Sequence, residues 1–356
     1  MVYVLAWPAF KNKAHNPYNW LLYTHLLRQG INVEEFSPWK LLYRHYSIWH
    51  LHWPERFFND PDRKKAWFKS RALLVLVKWA RARGIKIVWT IHNLSAHEGF
   101  HRDLEARFWD EFTRQIDGYI SLSRTGMDLA RQRFRNLERV PGIIVPHGHY
   151  CGVYPDTVTK EDARSRLGLS IHDKVALFVG QVRPYKNVPH LIRVFRQVKE
   201  PQARLVVAGK VDLCQLRQQV VEAARGDSRI RLHLNFVPDE DLQFFLRAAD
   251  LVVLPYREIL NSGSAILALS FGRPVLVPEL GALSELKALV GPAWLYTYKG
   301  ELTPAVLCSA LEWAVRYPRE GRPSIDALDW ENLARRTLEF YEGLVMKQVG
   351  ASTVTR

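Results

Sequence analysis

The sequence predicts an α/β chain of two doubly wound parallel-sheet domains facing a cleft. Three observations lead there. Apolar runs of strand length alternate with helix-length runs from end to end, the whole alternation occurs twice, and the two series are separated by Pro155–Asp173, a polar stretch without a strand. Strands that are apolar throughout, with no polar alternation, are those covered on both faces by crossover helices, as in parallel sheets. A length of 356 residues also exceeds what one hydrophobic core usually holds.

In the first series strands are expected at Val2–Trp7, Ile48–Trp53, Ile85–Ile91, Gly118–Leu122 and Ile143–Val145, with helices over Tyr18–Gln29, Lys64–Arg83, Arg102–Gln115 and Ser123–Phe134. Ligands of such sheets gather at the carboxyl ends of strands, so those loops are read for chemistry. Asn16-Pro-Tyr-Asn19-Trp20 opens the first helix without the glycine fingerprint of a dinucleotide site. Its polar and aromatic groups suit a carbohydrate, whose rings aromatic faces cover, with Asn16 and Asn19 as contacts; an ordinary N-cap explains them equally well. His50 and His52 share one face of their strand by the period of two. With no third ligand at suitable spacing they read as a buried hydrogen-bonded pair, and Glu55 beyond them as a carboxylate of the cleft. Asp60-Pro-Asp62 reads as a turn. Lys, Arg, Trp and Phe interleave over Arg63–Arg83, a composition that suits an anionic membrane surface. His92, His97 and Glu98 leave the strand Ile85–Ile91 as candidate catalytic groups, three polar side chains within seven residues at a strand's carboxyl end. His147-Gly-His149-Tyr-Cys151 reads as a structural loop.

The second series places strands at Val175–Val179, Arg204–Ala208, Ile230–Leu234, Leu251–Leu254 and Val275–Val277, and helices over Asn187–Val198, Leu213–Ala224, Asp239–Ala249 and Ala265–Phe271. Two of its loops carry the sharpest signal. Gly180-Gln-Val-Arg183-Pro-Tyr-Lys186 puts two cations after a buried strand, and Asn261-Ser262-Gly263-Ser264 opens an apolar helix. Small residues at a helix start leave backbone N–H groups pointed outward at the positive end of the dipole, a receptor for phosphate. Arg meets a phosphate with a planar fork and Lys with a point charge. Together they suit a diphosphate, that of a sugar nucleotide.

Composition narrows the partners. Apolar residues make up 47% and charged ones 24%, an ordinary globular balance. Three scattered cysteines imply a reducing compartment, with neither disulfide frame nor metal knuckle. No run approaches the ~20 apolar residues of a membrane span, and the start MVYVLAWPAF lacks a basic region and a cleavage site, so a cytoplasmic protein is expected, with a peripheral seat at the inner membrane face through Arg63–Arg83. The net charge of +14, from 50 basic and 36 acidic side chains, calls for an anionic partner. No nucleic-acid motif accompanies it.

The order FVGQVRPYKN (Phe178–Asn187), VVAGK (Val206–Lys210), FVPDEDLQFFLRAADLVVLPY (Phe236–Tyr256) and NSGSAILALSFGRPVLVPELGALSE (Asn261–Glu285) resembles the donor domain of glycosyltransferase family 4. HLHWPE, TIHN and VPHGHY sit where that family has acceptor-domain loops. The pattern is most similar to bacterial and cyanobacterial exopolysaccharide transferases, the heterocyst envelope polysaccharide glucosyltransferases among them. The resemblance implies the GT-B architecture of two Rossmann-like domains: an acceptor-side domain over 1–162, a donor domain over 163–324, and a tail over 325–356 whose helix Trp330–Met346 crosses back to the first. It implies metal-independent transfer of a hexose, glucose from UDP-glucose, to a saccharide or lipid-linked saccharide with retained configuration and no cofactor beyond the donor. Gly180, Arg183 and Lys186 then match the diphosphate cradle, Asn261, Ser262, Gly263 and Ser264 the helix-start donors, and Val237 the loop that reads the nucleobase. One departure stands out. The family's two glutamates eight positions apart fall on Ile259 and Leu267, leaving Glu258, one residue early, to serve the sugar and Glu285 to approach from the next loop. A sugar-nucleotide epimerase of the same architecture, a nucleic-acid binder and a sugar-nucleotide sensor without catalysis are the rival readings.

Overall fold

Val, Ile and Leu crowd the strands of this chain because both faces of each inner strand are covered, and the burial is nearly complete: Val4, Leu5, Ile87, Val88, Leu177, Val207 and Val252 are all solvent-free. The computed structural model describes residues 2–14, 16–95, 99–317, 319 and 321–353, the stretch 347–353 by its backbone alone. The chain divides into two units, one of residues 1–148 and 327–356, the other of 149–326.

The first unit runs β1 (Tyr3–Trp7), α1 (Tyr18–Arg28), β2 (Asn32–Glu35), α2 (Pro38–Tyr43), β3 (Ile48–Leu51), α3 (Arg63–Ala82), β4 (Lys86–Ile91), α4 (Arg102–Thr113), β5 (Gly118–Ser121), α5 (Arg124–Arg133) and β6 (Gly142–Ile144). Its sheet is parallel throughout, in the order β2-β1-β3-β4-β5-β6. Strand β2 escapes the sequence pattern because it lies at the edge and buries only Val33. Its last residue matters more than its length suggests: the Glu35 carboxylate accepts the amides of Ala9, Phe10 and Lys11, shaping the loop that follows β1. The expected turn at Asp60–Asp62 is present. Asp60 Oδ1 accepts the Asp62 amide, and Asp62 caps α3 by accepting from Lys64 and Lys65.

The second unit runs α6 (Lys160–Arg166), β7 (Lys174–Val179), α7 (Val188–Arg196), β8 (Ala203–Ala208), α8 (Cys214–Ala224), β9 (Ile230–His233), α9 (Leu242–Ala248), β10 (Leu251–Val253), α10 (Gly263–Ser270), β11 (Val275–Pro278), α11 (Leu283–Val290), β12 (Leu295–Tyr298) and α12 (Pro304–Arg316). A second parallel sheet has the order β12-β11-β10-β7-β8-β9. The strand order reverses between β7 and β10, the switch point where crevices of doubly wound sheets open. Strand β12, at an edge, is again one the apolar pattern does not announce.

The units meet earlier in the chain than the expected 162/163 join. Polar anchoring explains it: the buried guanidinium of Arg164 on α6 reaches the Asp250 carboxylate at 2.7 Å and the carbonyls of Ala248 and Ile171, so the strandless segment belongs to the second unit. The last helix, α13 (Trp330–Thr353), clusters with the first unit. It packs on α1, and a Cβ added to Gly118 would strike Leu344 and Phe340.

Candidate diphosphate site and a buried imidazole cluster

In the second unit the sequence signals meet in space. Strand β7 ends at Val179, and Gly180 follows at φ +119°, a conformation that favours glycine. There is also no room for a side chain. A Cβ on Gly180 would sit 2.9 Å from Ser264 Oγ and 3.4 Å from Lys186 Nζ. The cation loop after β7 and the small-residue turn at the start of α10 therefore converge on one spot, although more than seventy positions separate them along the chain. Gly209, which ends β8, touches the same loop: its Cβ would lie 2.1 Å from the Gly180 carbonyl.

The chemistry of that spot is cationic and unneutralised. Lys186 is 9% exposed, and no carboxylate among the described residues pairs with it. Burial, then the neighbouring Arg183 charge, pulls its ammonium down to about 8. At α10 the Ser262 hydroxyl caps the helix by accepting the Ala265 amide at 3.1 Å. The amides of Gly263 and Ser264 have no acceptor among the described residues. The amide nitrogen of the Asn261 side chain is likewise buried without a partner. Tyr256, which the sequence reading passed over, holds the turn from below, its hydroxyl 3.2 Å from Ser262 Oγ. An anion placed here restores the charge of Lys186 and satisfies donors that the protein leaves open.

Val237 lies in the wall of a cavity of about 460 Å³ together with Arg217, His233, Phe236 and Phe245. Phe236 is 55% exposed, a flat apolar surface beside main-chain donors and acceptors, as a nucleobase needs. Arg217 is steadied by the Leu234 carbonyl at 2.9 Å. Glu258 is exposed on the loop after β10 and pairs with no cation among the described residues. Glu285 sits in the first turn of α11 and is partly covered.

In the first unit the carboxyl ends of β3 and β4 carry a cluster of imidazoles. His50 and His52 are solvent-free and His92 is partly exposed. His50 Nδ1 lies 2.6 Å from the Tyr341 hydroxyl and 2.9 Å from that of Tyr23; its Nε2 is 2.7 Å from Thr90 Oγ1. His52 Nε2 is 2.5 Å from the Tyr23 hydroxyl and its Nδ1 3.0 Å from His92 Nε2. Trp53 stacks on the His92 ring at 4.3 Å, and the buried Tyr18 ring meets it edge-on at 5.0 Å. Burial holds all three imidazoles far below their ordinary range, so each is neutral at physiological pH.

Glu55 is 7% exposed, and Asn93 Nδ2 donates to its Oε1 at 3.0 Å. Burial pushes its carboxyl up to about 7, against the opposing pull of that hydrogen bond. The two asparagines expected on the acceptor side are accounted for otherwise. Asn19 is solvent-free and its amide donates to the Pro8 carbonyl, which ties α1 to the loop after β1, while its Oδ1 is buried without a hydrogen-bond partner among the described residues. Asn16 Oδ1 accepts the Tyr18 amide at 3.0 Å, the helix-start role. His97 and Glu98 lie outside the described residues.

Helix α3 exposes Trp67 and Phe68, but its cations are largely matched. Arg63 pairs with Asp103, Lys69 with Asp60 and Arg71 with Glu111. No helix of the described residues is long and apolar enough to cross a membrane. Among those residues no group of three His, Cys, Asp or Glu side chains is placed to hold a metal.

Comparison with known proteins agrees with this geometry. The family model "Glycosyl transferases group 1" matches residues 173–296, which hold both converging loops. A GDP-mannose:glycolipid 4-beta-D-mannosyltransferase of Xanthomonas campestris pv. campestris is 31% identical over 326 residues, covering 91% of this chain and 87% of that protein. A D-inositol 3-phosphate glycosyltransferase of Corynebacterium aurimucosum is 29% identical over 218 residues, 56% of this chain and 51% of that one. Among solved structures, sucrose-phosphate synthase of Thermosynechococcus elongatus matches with a TM-score of 0.72 at 16% identity, over 98% of this chain and all of that one. HepE of Anabaena, in complex with UDP-glucose, matches with a TM-score of 0.61 at 16% identity, over 99% of this chain and all of that one. With two six-stranded parallel sheets of matching architecture and a relative at 31% identity along nearly its whole length, this chain belongs to the group 1 glycosyl transferases, of GT-B type.

Proposed function

We propose that the protein transfers a hexose from a nucleoside diphosphate sugar to a lipid-linked saccharide. The observation that carries this reading is the convergence of Gly180, Lys186 and Ser264 on one unneutralised spot. As the glycosidic phosphate bond breaks, negative charge gathers on the departing diphosphate. Arg183, Lys186 and the amides of Gly263 and Ser264 are fixed donors for it, and the transfer proceeds without a metal ion. The nucleobase occupies the pocket beside Phe236 and Val237.

The relative at 31% identity is named for GDP-mannose and a glycolipid, which ranks GDP-mannose first as donor and a lipid-linked saccharide first as acceptor. UDP-glucose, implied by the sequence resemblance, is the competing donor. The stereochemical course follows the same division. Retention is implied by the resemblance, whereas a β-linked product, as in that relative's name, is inversion when the donor sugar is α-linked. The loss of the two family glutamates at Ile259 and Leu267 favours the second course. Inversion in one displacement requires a base for the acceptor proton, and Glu55, with its carboxyl near 7, has the proton affinity for that work. His92 orients the sugar. A glycolipid acceptor brings the protein to an anionic membrane surface, with Trp67 and Phe68 of α3 as the apolar contacts.

Incubating the protein with GDP-mannose, UDP-glucose and other nucleotide sugars in the presence of bacterial lipid-linked oligosaccharide tests the reading. Product formation with one donor, and the anomeric coupling in the product's NMR spectrum, identify donor and course together. Binding of no nucleoside diphosphate by calorimetry refutes the assignment.

A further inference from the structure

The loop that carries Arg183 and Lys186 also borders a cavity of about 630 Å³ whose lining includes none of Gly180, Arg183, Lys186 or the turn 262–264. Asn187 of the loop lines it, together with Arg193 of α7, Arg257 after β10, and Gln215 and Gln219 of α8. Nor is it the nucleobase cavity. Arg217 and Val221 line that one, and at about 100° per residue they fall on the side of α8 opposite Gln215 and Gln219. The lining is cationic and holds no carboxylate. Neither guanidinium, of Arg193 or Arg257, pairs with an acidic group among the described residues. The acidic residues next to the lining in sequence do not neutralise it. Asp212 is already held by Lys210 at 2.6 Å and by the Gln181 amide at 2.5 Å, and Glu258 is exposed.

Two further observations point to an anion. Helix α8, of 11 residues, opens at the cavity with Leu213 as its N-cap, a side chain that accepts nothing. The amides of Cys214, Gln215 and Leu216 have no acceptor among the described residues, and they stand at the positive end of the helix. Asn187 is 7% exposed at φ +57°, and its side-chain amide has no hydrogen-bond partner among the described residues. A buried amide without a partner is costly, and a ligand that accepts from it removes that cost. Two guanidinium forks, one buried amide and three helix-start N–H groups thus share a cavity with no acceptor of their own. A phosphate, with several oxygens and a negative charge, answers such a set. We propose that this cavity is a second phosphoryl site, which takes the phosphate or diphosphate of a ligand other than the donor nucleotide. One source is the phosphate that joins a lipid to its saccharide, a choice that rests on the reading of the acceptor as lipid-linked; the other is a free phosphorylated metabolite. The Arg257 amide donates to the Tyr185 carbonyl at 2.8 Å, so one of the two guanidiniums belongs to a residue tied directly to the loop that carries Arg183 and Lys186.

The test uses inorganic pyrophosphate as the probe, titrated by calorimetry at low salt into the full chain saturated with GDP or UDP, so that the nucleotide fills the first site. The expected result is one pyrophosphate per chain, with affinity reduced at least tenfold in Arg193→Ala/Arg257→Ala. Asn187→Gly, which keeps the left-handed backbone and removes only the amide, should reduce it at least threefold. Affinity for GDP and UDP in the double variant should stay within twofold of wild type. Titration into Lys186→Met without nucleotide, with and without the two arginine substitutions, reads the same site where no nucleoside diphosphate binds, so failure of the donor reading is told apart from failure of this one. No bound pyrophosphate, or equal binding by wild type and the double variant, overturns the site. Loss of nucleotide and pyrophosphate affinity together overturns its separateness. Turnover then distinguishes the sources. A raised KM for the lipid-linked acceptor in the double variant, with kcat and donor KM unchanged and pyrophosphate competing with that acceptor in wild type, assigns the acceptor's phosphate. An unchanged acceptor KM, with pyrophosphate altering the donor KM of wild type and not of the double variant, assigns a free phosphorylated metabolite. A double variant that matches wild type in all of these overturns a role for the site in the reaction.

Discussion

Replacing Lys186 with methionine keeps the reach and roughly the volume of the side chain while removing its charge. The ammonium lies 9% exposed without a carboxylate partner among the described residues, and its pKa falls from 10.5 to about 8. That difference corresponds to about 3 kcal/mol of unfavourable burial. The sign follows from proton counting. Between pH 8 and 10.5 the unfolded chain holds the proton and the folded chain does not, so this group's contribution makes stability rise with pH there. Below pH 8 the folded protein carries the full cost. Lys186→Met should therefore unfold at a higher denaturant concentration than wild type at pH 7, by up to about 3 kcal/mol, and the gap should close as pH approaches 10.5. Binding should move the other way. A charge-assisted contact contributes about 1.5–3 kcal/mol, so affinity for GDP or UDP should fall roughly 10- to 150-fold. Urea titrations across this pH range, with calorimetry of both nucleotides at pH 7, give the two numbers. A variant no more stable at pH 7, or one that binds both nucleotides as the wild type does, refutes the assignment of Lys186 as a desolvated cation awaiting a diphosphate.

Gly180→Ala introduces a methyl 2.9 Å from Ser264 Oγ and 3.4 Å from Lys186 Nζ at φ +119°. It should weaken nucleoside diphosphate binding at least tenfold, measured by calorimetry, with the far-ultraviolet spectrum unchanged. Arg183→Ala should lower turnover at saturating donor, because the charge it meets grows as the diphosphate leaves. For Glu55, the folded carboxyl near 7 lies above its ordinary 4.5. Across that interval the folded state holds the proton that the unfolded state has released, so stability falls as pH rises from 4.5 to 7. Glu55→Gln should accordingly stabilise the protein at pH 8 and have little effect at pH 4, by thermal unfolding, while transfer is lost if Glu55 is the base. Trp67→Ala with Phe68→Ala should reduce sedimentation with vesicles containing anionic lipid and leave nucleotide affinity unchanged.

The fold class was legible because inner parallel strands are buried on both faces and so write continuous apolar runs; β7, β8 and β10 are examples. The edge strands β2 and β12 were not, since an edge needs only part of its surface apolar and Asn32–Glu35 looks like a loop. Asn19 shows the converse, a position the sequence leaves open between ligand contact and ordinary cap. A polar residue at a helix start reads as available, and only packing reveals that it is solvent-free and tied to Pro8.

By itself the sequence determined which loops bring cations and outward-pointing amides to strand ends, because a strand end followed by cations, and a helix opened by Ser-Gly-Ser, are local patterns with local physical consequences. It could also place His50, His52 and His92 at strand ends. Only the tertiary structure decided that Gly180, Lys186 and Ser264 share one point, and that the Tyr341 hydroxyl, 291 positions from His50, shares a hydrogen bond with its ring. Contacts of that kind depend on the register and twist of a whole sheet and on where a distant helix docks. No local window of sequence contains that information.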